Sequence, residues 1–208
     1  MTDTKTTVTR RGEVYTFRLH WQVTQRQLKS ARENPSGSIN DLMAALTFSA
    51  FTLEAYTNFV SSRIFPDTWN QKRERQSSSK KIKDIFEKFE LAYDAHDEST
   101  RNTIQYLTEL RNELAHGKPY TKIEEFDSIS VRSSRANFNK LQFKIPLYEK
   151  LIELGLEGTL SITEKVRLFA NFVNSQLAKR EPGLALPDED VLSGPLSRAE
   201  YEWPELCS

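Results

Sequence analysis

Arg111, Asn112 and His116 fall within six residues of one another, in the run Leu110-Arg111-Asn112-Glu113-Leu114-Ala115-His116-Gly117-Lys118. A guanidinium keeps its charge and presents a fork of donors that fits phosphate oxygens. Imidazole changes charge near neutral pH, so it can act as general base or general acid. An amide side chain can orient either group. Cleavage of RNA by its own 2′-hydroxyl needs a group to take that proton, another to protonate the departing 5′-oxygen, and a cation for charge building on the phosphate. Arg111 and His116 cover these needs, Asn112 orients His116 or donates to phosphate, and Lys118 offers a further phosphate contact. Glu54, an acid in an apolar stretch, either pairs with Arg111 and positions it or makes an ordinary buried or edge salt bridge.

Helical geometry limits what one copy of this motif can do. Asn112 and His116, four apart, share a helix face, whereas Arg111 and His116, five apart, are turned by about 140° at 3.6 residues per turn. Either the last turn loosens before Gly117, or a second subunit supplies the missing group.

The elements that must position these residues read as helices. Apolar residues from Tyr15 to Arg32 (Phe17, Trp21, Val23, Leu28, Ala31) give one face, closed by Asn34-Pro35-Ser36-Gly37. Ser38, with Asp41 behind it, opens a long helix to Phe65 whose apolar residues cover so wide a face that it must be touched from several sides. A third helix spans Lys80–Tyr93. The fourth, capped by Ser99, turns Ile104, Leu107, Leu110 and Leu114 inward and stops at Gly117 and Pro119. Asp127–Arg132 and Leu141–Ile145 alternate as a short hairpin would. Leu147–Leu154 reads as a turn or two of helix before Gly155 and Gly158. Ser161 and Glu164 have capping-box spacing at the head of a fifth helix, to Lys179.

Composition sets the outer bounds. The chain has 208 residues, 28% of them charged with 29 basic against 29 acidic side chains, so overall charge favours no polyanion. Seven Gly and eight Pro are too few for a turn-rich all-β fold. The single cysteine, Cys207, cannot form an internal disulfide, which fits a reducing cytoplasm. No metal ligand set stands out: His96-Asp97-Glu98 reads as a solvated loop, and His20 as a packing residue. The apolar stretch Leu42–Val60 is broken by Thr47, Ser49, Thr52, Glu54 and Asn58, so it is a buried helix and not a membrane span. Met1–Arg11 has no apolar stretch behind it, so it is not a secretory signal. Charge is uneven along the chain, with seven bases to two acids before residue 33 and one base to seven acids after residue 180. A solvated helix face and a solubilising tail explain such runs as well as a polyanion-binding face does.

With these elements in place, the Arg-x4-His spacing, the Asn directly after Arg and the long apolar second helix (Phe48 to Phe59) resemble the HEPN superfamily, named for higher eukaryotes and prokaryotes nucleotide-binding. The resemblance covers roughly Tyr15 to Lys179. It implies an all-α fold, an antiparallel bundle of four to five helices, here with a short β-hairpin insert after the fourth. It implies a metal-independent endoribonuclease acting as a homodimer with a composite site, without cofactor, membrane or metal. Toxin or antiviral defence roles, and an antitoxin or defence-system partner, come with the same resemblance. Lys118 occupies the position where members controlled by tyrosine nucleotidylation carry Tyr. The organisation read from the chain is a disordered N-terminus (1–12), a helical domain (13–180) with a mobile basic loop (66–79) and an insert (121–146), and an acidic tail (181–208). The rival readings are a non-catalytic helical module that binds RNA, a nucleotide or a protein, and an antitoxin-like accessory protein acting through the basic loop or the tail.

Overall fold

A 26-residue helix runs through the middle of the molecule, and the other helices are laid on it. The computed structural model describes residues 9–91, 98–116 and 146–202. The hairpin expected at 127–132 and 141–145, most of the insert at 121–146, and Lys118 lie outside them. In chain order the elements are β1 (Thr9–Val14), α1 (Thr16–Glu33), α2 (Ile39–Ile64), a single turn α3 (Pro66–Thr68), a π-helical turn (Trp69–Arg73), α4 (Ser78–Lys88), α5 (Glu98–Ala115), α6 (Pro146–Arg180), a 3₁₀ turn (Pro182–Leu184) and β2 (Ser197–Glu202). The described chain is therefore mostly helical, with one two-stranded sheet. Among the described residues no helix is long and apolar enough to cross a membrane.

α2 is the hub because it is narrow where it is buried. Ala45, Ser49, Ala50, Thr52, Thr57 and Ser61 are all buried on it, and small side chains let α1, α4, α5 and α6 approach. Ser49 donates to the Ala45 carbonyl at 2.7 Å, Thr52 to the Phe48 carbonyl at 2.7 Å and Thr57 to the Glu54 carbonyl at 2.9 Å, while the buried Ser61 hydroxyl has no partner among the described residues. Around it Leu46, Leu53, Tyr56 and Val60 meet Phe17 and Trp21 of α1, Ile82 and Phe86 of α4, Leu107 of α5, and Phe169 and Val173 of α6 in one continuous core. The Tyr56 hydroxyl, fully inside, donates to the Ala170 carbonyl at 2.9 Å.

Several caps and boundaries differ from the sequence reading, each for a local reason. Ser38 sits before α2 but has helical backbone and makes no side-chain cap; Asp41 instead accepts from Ser30 of α1 at 2.9 Å. α4 begins two residues early because Ser77 caps it, accepting from the Lys80 amide, and it ends at Lys88, before Glu90 turns to positive φ. α5 is already helical at Glu98, so Ser99 lies inside it. Ser161 lies well inside α6 and opens nothing; Glu164 pairs with Arg167 instead. The helix turns sharply at Gly155 (φ 58°, ψ −167°), a conformation only glycine takes readily.

The segment read as a mobile loop is built in, and so is the tail, whose sequence left open whether it wraps the bundle or stays loose. Residues 66–79 form helical turns, with Arg73 lying over the Phe65 ring at 3.7 Å and pairing with Asp84 at 2.5 Å. The acidic tail folds back across α1 and α6. Leu186, Val191 and Leu192 are buried there, Asn174 holds both polar groups of the Leu186 backbone at 2.9 Å, and β2 pairs antiparallel with β1, Thr9 opposite Glu202. That pairing takes residues 9–12 out of the expected disordered N-terminus.

Arg18 is the rivet of this strap. It is 1% exposed, donates to the Val191 carbonyl at 2.8 Å and the Pro195 carbonyl at 2.6 Å, pairs with Asp188, and stacks over Tyr15 at 4.7 Å. Gly194 passes so close that a Cβ there would lie 2.5 Å from the guanidinium. Arg18→Met should cost about 3 kcal/mol in denaturant unfolding, the scale of breaking a buried, hydrogen-bonded ion pair. Gly194→Ala, by overpacking the same spot, should cost about 1–3 kcal/mol.

His20 is half-buried between Phe48 and Phe51, ring centroids 5.9 and 5.7 Å away, and burial lowers its pKa from 6.5. Below 6.5 the unfolded chain takes up a proton that the folded chain resists. Stability should fall as pH drops through this window and level once folded His20 is protonated. Chemical denaturation across pH 7 to 5 should show that slope, and His20→Phe should remove it.

Candidate functional site

α5 reaches the surface at its C-terminal end with a simple division of labour. Leu107 and Leu110 are buried against the core, Leu114 is half-buried, and Arg111, Asn112, Glu113 and His116 lie at the accessible side. The His116 amide still donates to the Asn112 carbonyl at 3.0 Å, so helical geometry persists to the histidine. The last turn does not loosen to swing it toward Arg111.

Arg111 is held on two sides. One nitrogen lies 3.3 Å from Glu54 on α2; another donates to the Asn112 side-chain oxygen at 3.0 Å. The Glu54–Arg111 pairing anticipated from the sequence is therefore present. Asn112 spends its oxygen on Arg111. Both charged partners are about one-third exposed (33% and 35%), so solvent screens the pair and its net worth is at most about 1 kcal/mol. The pair fixes a direction more than it stabilises a fold.

That direction is into a cleft of about 290 Å³ between α2, α5 and the head of α4. Ala50, Leu53 and Leu107 form apolar lining; Glu54, Thr108, Arg111 and Asn112 line two walls; Arg75, Gln76, Ser77 and Ser78 close the third. His116 is not part of this lining, although it is exposed. The structure thus brings Arg111, Asn112 and Glu54 together and leaves His116 of the same chain around the helix. Among the described residues no cluster of three His, Cys, Asp or Glu side chains forms a metal site.

The third wall was read from sequence only as part of a basic, serine-rich loop. It is held in place by Lys81, which is 2% exposed. Its ammonium donates to Asn58 Oδ1 and to the Glu74 carbonyl, both at 2.7 Å, and lies 5.4 Å from the Trp69 ring. Burial lowers the Lys81 pKa, with Glu54 and Glu74 pulling the other way. A lysine in a polar run gives no sign in sequence that it is buried. The only hint was its register, one residue before Ile82 on the inward face of α4.

Scans of the sequence against family models, curated proteins and solved structures return no match.

Two substitutions separate holding the site from holding the fold. Glu54→Gln should change unfolding free energy by less than about 1 kcal/mol. Lys81→Met, which leaves the Glu74 carbonyl and Asn58 without their donor, should cost about 1–3 kcal/mol. Thermal or denaturant unfolding of both variants checks the contrast.

Proposed function

We propose that this chain is a metal-independent endoribonuclease of the HEPN type, built on a HEPN-like bundle and acting as a homodimer in the cytoplasm. The observation that carries the reading is a half-buried Arg111, paired with Glu54 at the lining of an open cleft, with an exposed His116 five residues further on, at the end of the same helix. Because the two diverge on a helix that stays regular, each site pairs Arg111 of one chain with His116 of a second copy. Catalysis asks for little beyond positioning and charge. His116 takes the proton of a ribose 2′-hydroxyl, whose oxygen attacks the adjacent phosphorus. The bond from phosphorus to the 5′-oxygen breaks, and that oxygen takes a proton from solvent. The products are a 2′,3′-cyclic phosphate and a 5′-hydroxyl end. Arg111 stabilises the charge on the phosphorane oxygens, and Asn112 steadies Arg111. Lys118, two residues beyond His116, serves as a further phosphate contact. A role in toxin–antitoxin pairs or antiviral defence, with a cognate partner, follows from the same reading.

The second reading is a non-catalytic helical module that binds RNA, a nucleotide or a protein. The engagement of Arg111 by both Glu54 and Asn112 favours it, since a guanidinium so held can be a structural tie.

RNA cleavage in EDTA separates them. The nuclease reading predicts cleavage that persists without divalent ions and leaves cyclic-phosphate ends. His116→Ala should lower it by about 10²–10⁴-fold, as for loss of a general base, and Arg111→Ala by about 10²–10³-fold, as for loss of a charge-stabilising donor. Circular dichroism should be unchanged in both variants. Strict dependence on added metal, or full activity in either variant, contradicts it.

A further inference from the structure

Six large apolar side chains stand exposed among the described residues, and two of them, Tyr148 and Ile152, lie one turn apart on the first limb of α6, before its bend at Gly155. Tyr148 is 37% exposed and Ile152 69%, while Leu151 beside them is buried in the core. At about 100° per residue, Tyr148 and Ile152 share one flank of the helix, and Glu149 and Glu153 border them on the solvent side. An exposed apolar stripe edged by acids is therefore left on a limb whose inward face is already buried. Exposed apolar surface rimmed by polar groups is a mark of an interaction site.

The stripe opens onto a groove of about 300 Å³ between α6 and the turn that joins α1 to α2. Pro35, Gly37 and Ile39 line it from the turn and the head of α2, Leu42 from further along α2, and Ile152 and Leu156 from α6. No charged side chain lines it, and it shares no residue with the cleft at Arg111. Charge lies at its edge instead. Glu149, Glu153 and Glu157 stand against Lys150 on this part of α6, three acids to one base, while Arg32 and Glu33 at the end of α1 cancel.

This combination selects among occupants. The acidic edge repels nucleic acid and anionic lipid. A second copy docking by the same face across a two-fold would set acid against acid. An extended peptide takes its affinity from a free strand edge, and neither β1 nor β2 borders the groove. An amphipathic helix needs only what is present: apolar positions one turn apart to meet its own i, i+3 and i+4 side chains, and acids beside them to meet flanking lysines or arginines. We propose that this groove docks a basic amphipathic helix of a partner protein. Its apolar residues lie on Tyr148, Ile152 and Leu156, and its basic residues stand against Glu149 and Glu153. The docking face is separate from the Arg111 cleft and does not rest on the nuclease reading.

The probe is a fluorescein-labelled peptide of about 18 residues made of Leu, Ala and Lys, long enough to form a helix with one apolar face. Its anisotropy is followed as the full chain is added. One control peptide has Glu in place of every Lys; a second has the same composition shuffled so that no apolar face forms. The amphipathic basic peptide should bind, and each control should bind more weakly by about tenfold or more. Ile152→Ser, at a position too exposed to disturb the fold, should weaken binding by about tenfold, as for the loss of two or so buried methylenes. Glu153→Lys should weaken it by about fivefold and flatten its dependence on salt. No binding, equal binding of either control peptide, or undiminished binding by either variant would overturn the proposal. So would sedimentation in which Ile152→Ser splits a dimer of the chain alone, since the face would then belong to a second copy. The outcome is the same whether or not the chain cuts RNA, so this proposal and the nuclease reading fail separately.

Discussion

Close approach to α2 is the constraint from which the arrangement of the other helices follows. A helix lined with Ala, Ser and Thr on its buried faces accepts neighbours on several sides at lower cost where its hydroxyls bond back to its own carbonyls, as those of Ser49, Thr52 and Thr57 do. Once α1, α4, α5 and α6 are seated, α2 has little accessible surface to offer. Glu54 and Asn58, four apart and half-buried, are two of the polar groups it still presents. Each anchors a different element of the cleft: Glu54 takes Arg111 of α5, and Asn58 takes Lys81 of α4. The shape of the candidate site is thus a by-product of how the hub is covered.

The tail obeys a similar logic from the opposite end. A buried arginine is tolerated when its charge is paired and each of its nitrogens is hydrogen-bonded. Arg18 meets that condition with two carbonyls, Asp188 and the face of Tyr15. In doing so it fixes residues 188–195, and with them the β1–β2 ribbon that follows. Acidic composition in this segment reflects partners already in place: Asp188 pairs with Arg18, and Asp190 caps the Ser193 turn and approaches Arg167 at 3.8 Å.

The helices were legible in the sequence because their signal is periodic and repeated. Leu42, Leu46, Leu53 and Val60 on α2, and Val166, Phe169, Ala170, Val173 and Leu177 on α6, are buried as their spacing predicts. The Glu54–Arg111 pairing was legible too, since an acid in an apolar stretch calls for a cation. What spacing cannot convey is contact between segments far apart in the chain. Arg18 looks like any surface arginine on α1 until residues 188–195 arrive; Lys81 looks like a solvated lysine until Trp69 and Glu74 fold over it. Helix starts were misread at Ser99 and Ser161, and Ser38, which does stand at the head of α2, makes no side-chain cap, because serine is common near helix starts and only local geometry decides whether it caps. Arg111, Asn112 and Glu54 do meet as the sequence suggested. The separation of His116 from them was also foreseeable, from nothing more than 3.6 residues per turn.

That separation is the centre of the functional account: guanidinium and imidazole serve one phosphate only if they come from different chains. The direct measurement is complementation between two inactive variants. Arg111→Ala and His116→Ala chains are mixed in equal amounts, allowed to exchange subunits, and assayed on RNA in EDTA. Half of the resulting pairs are mixed, and each mixed pair has one intact site of two, so activity should return to about one quarter of the unmodified protein's. Activity that stays at the level of the separate variants after exchange would contradict a shared site.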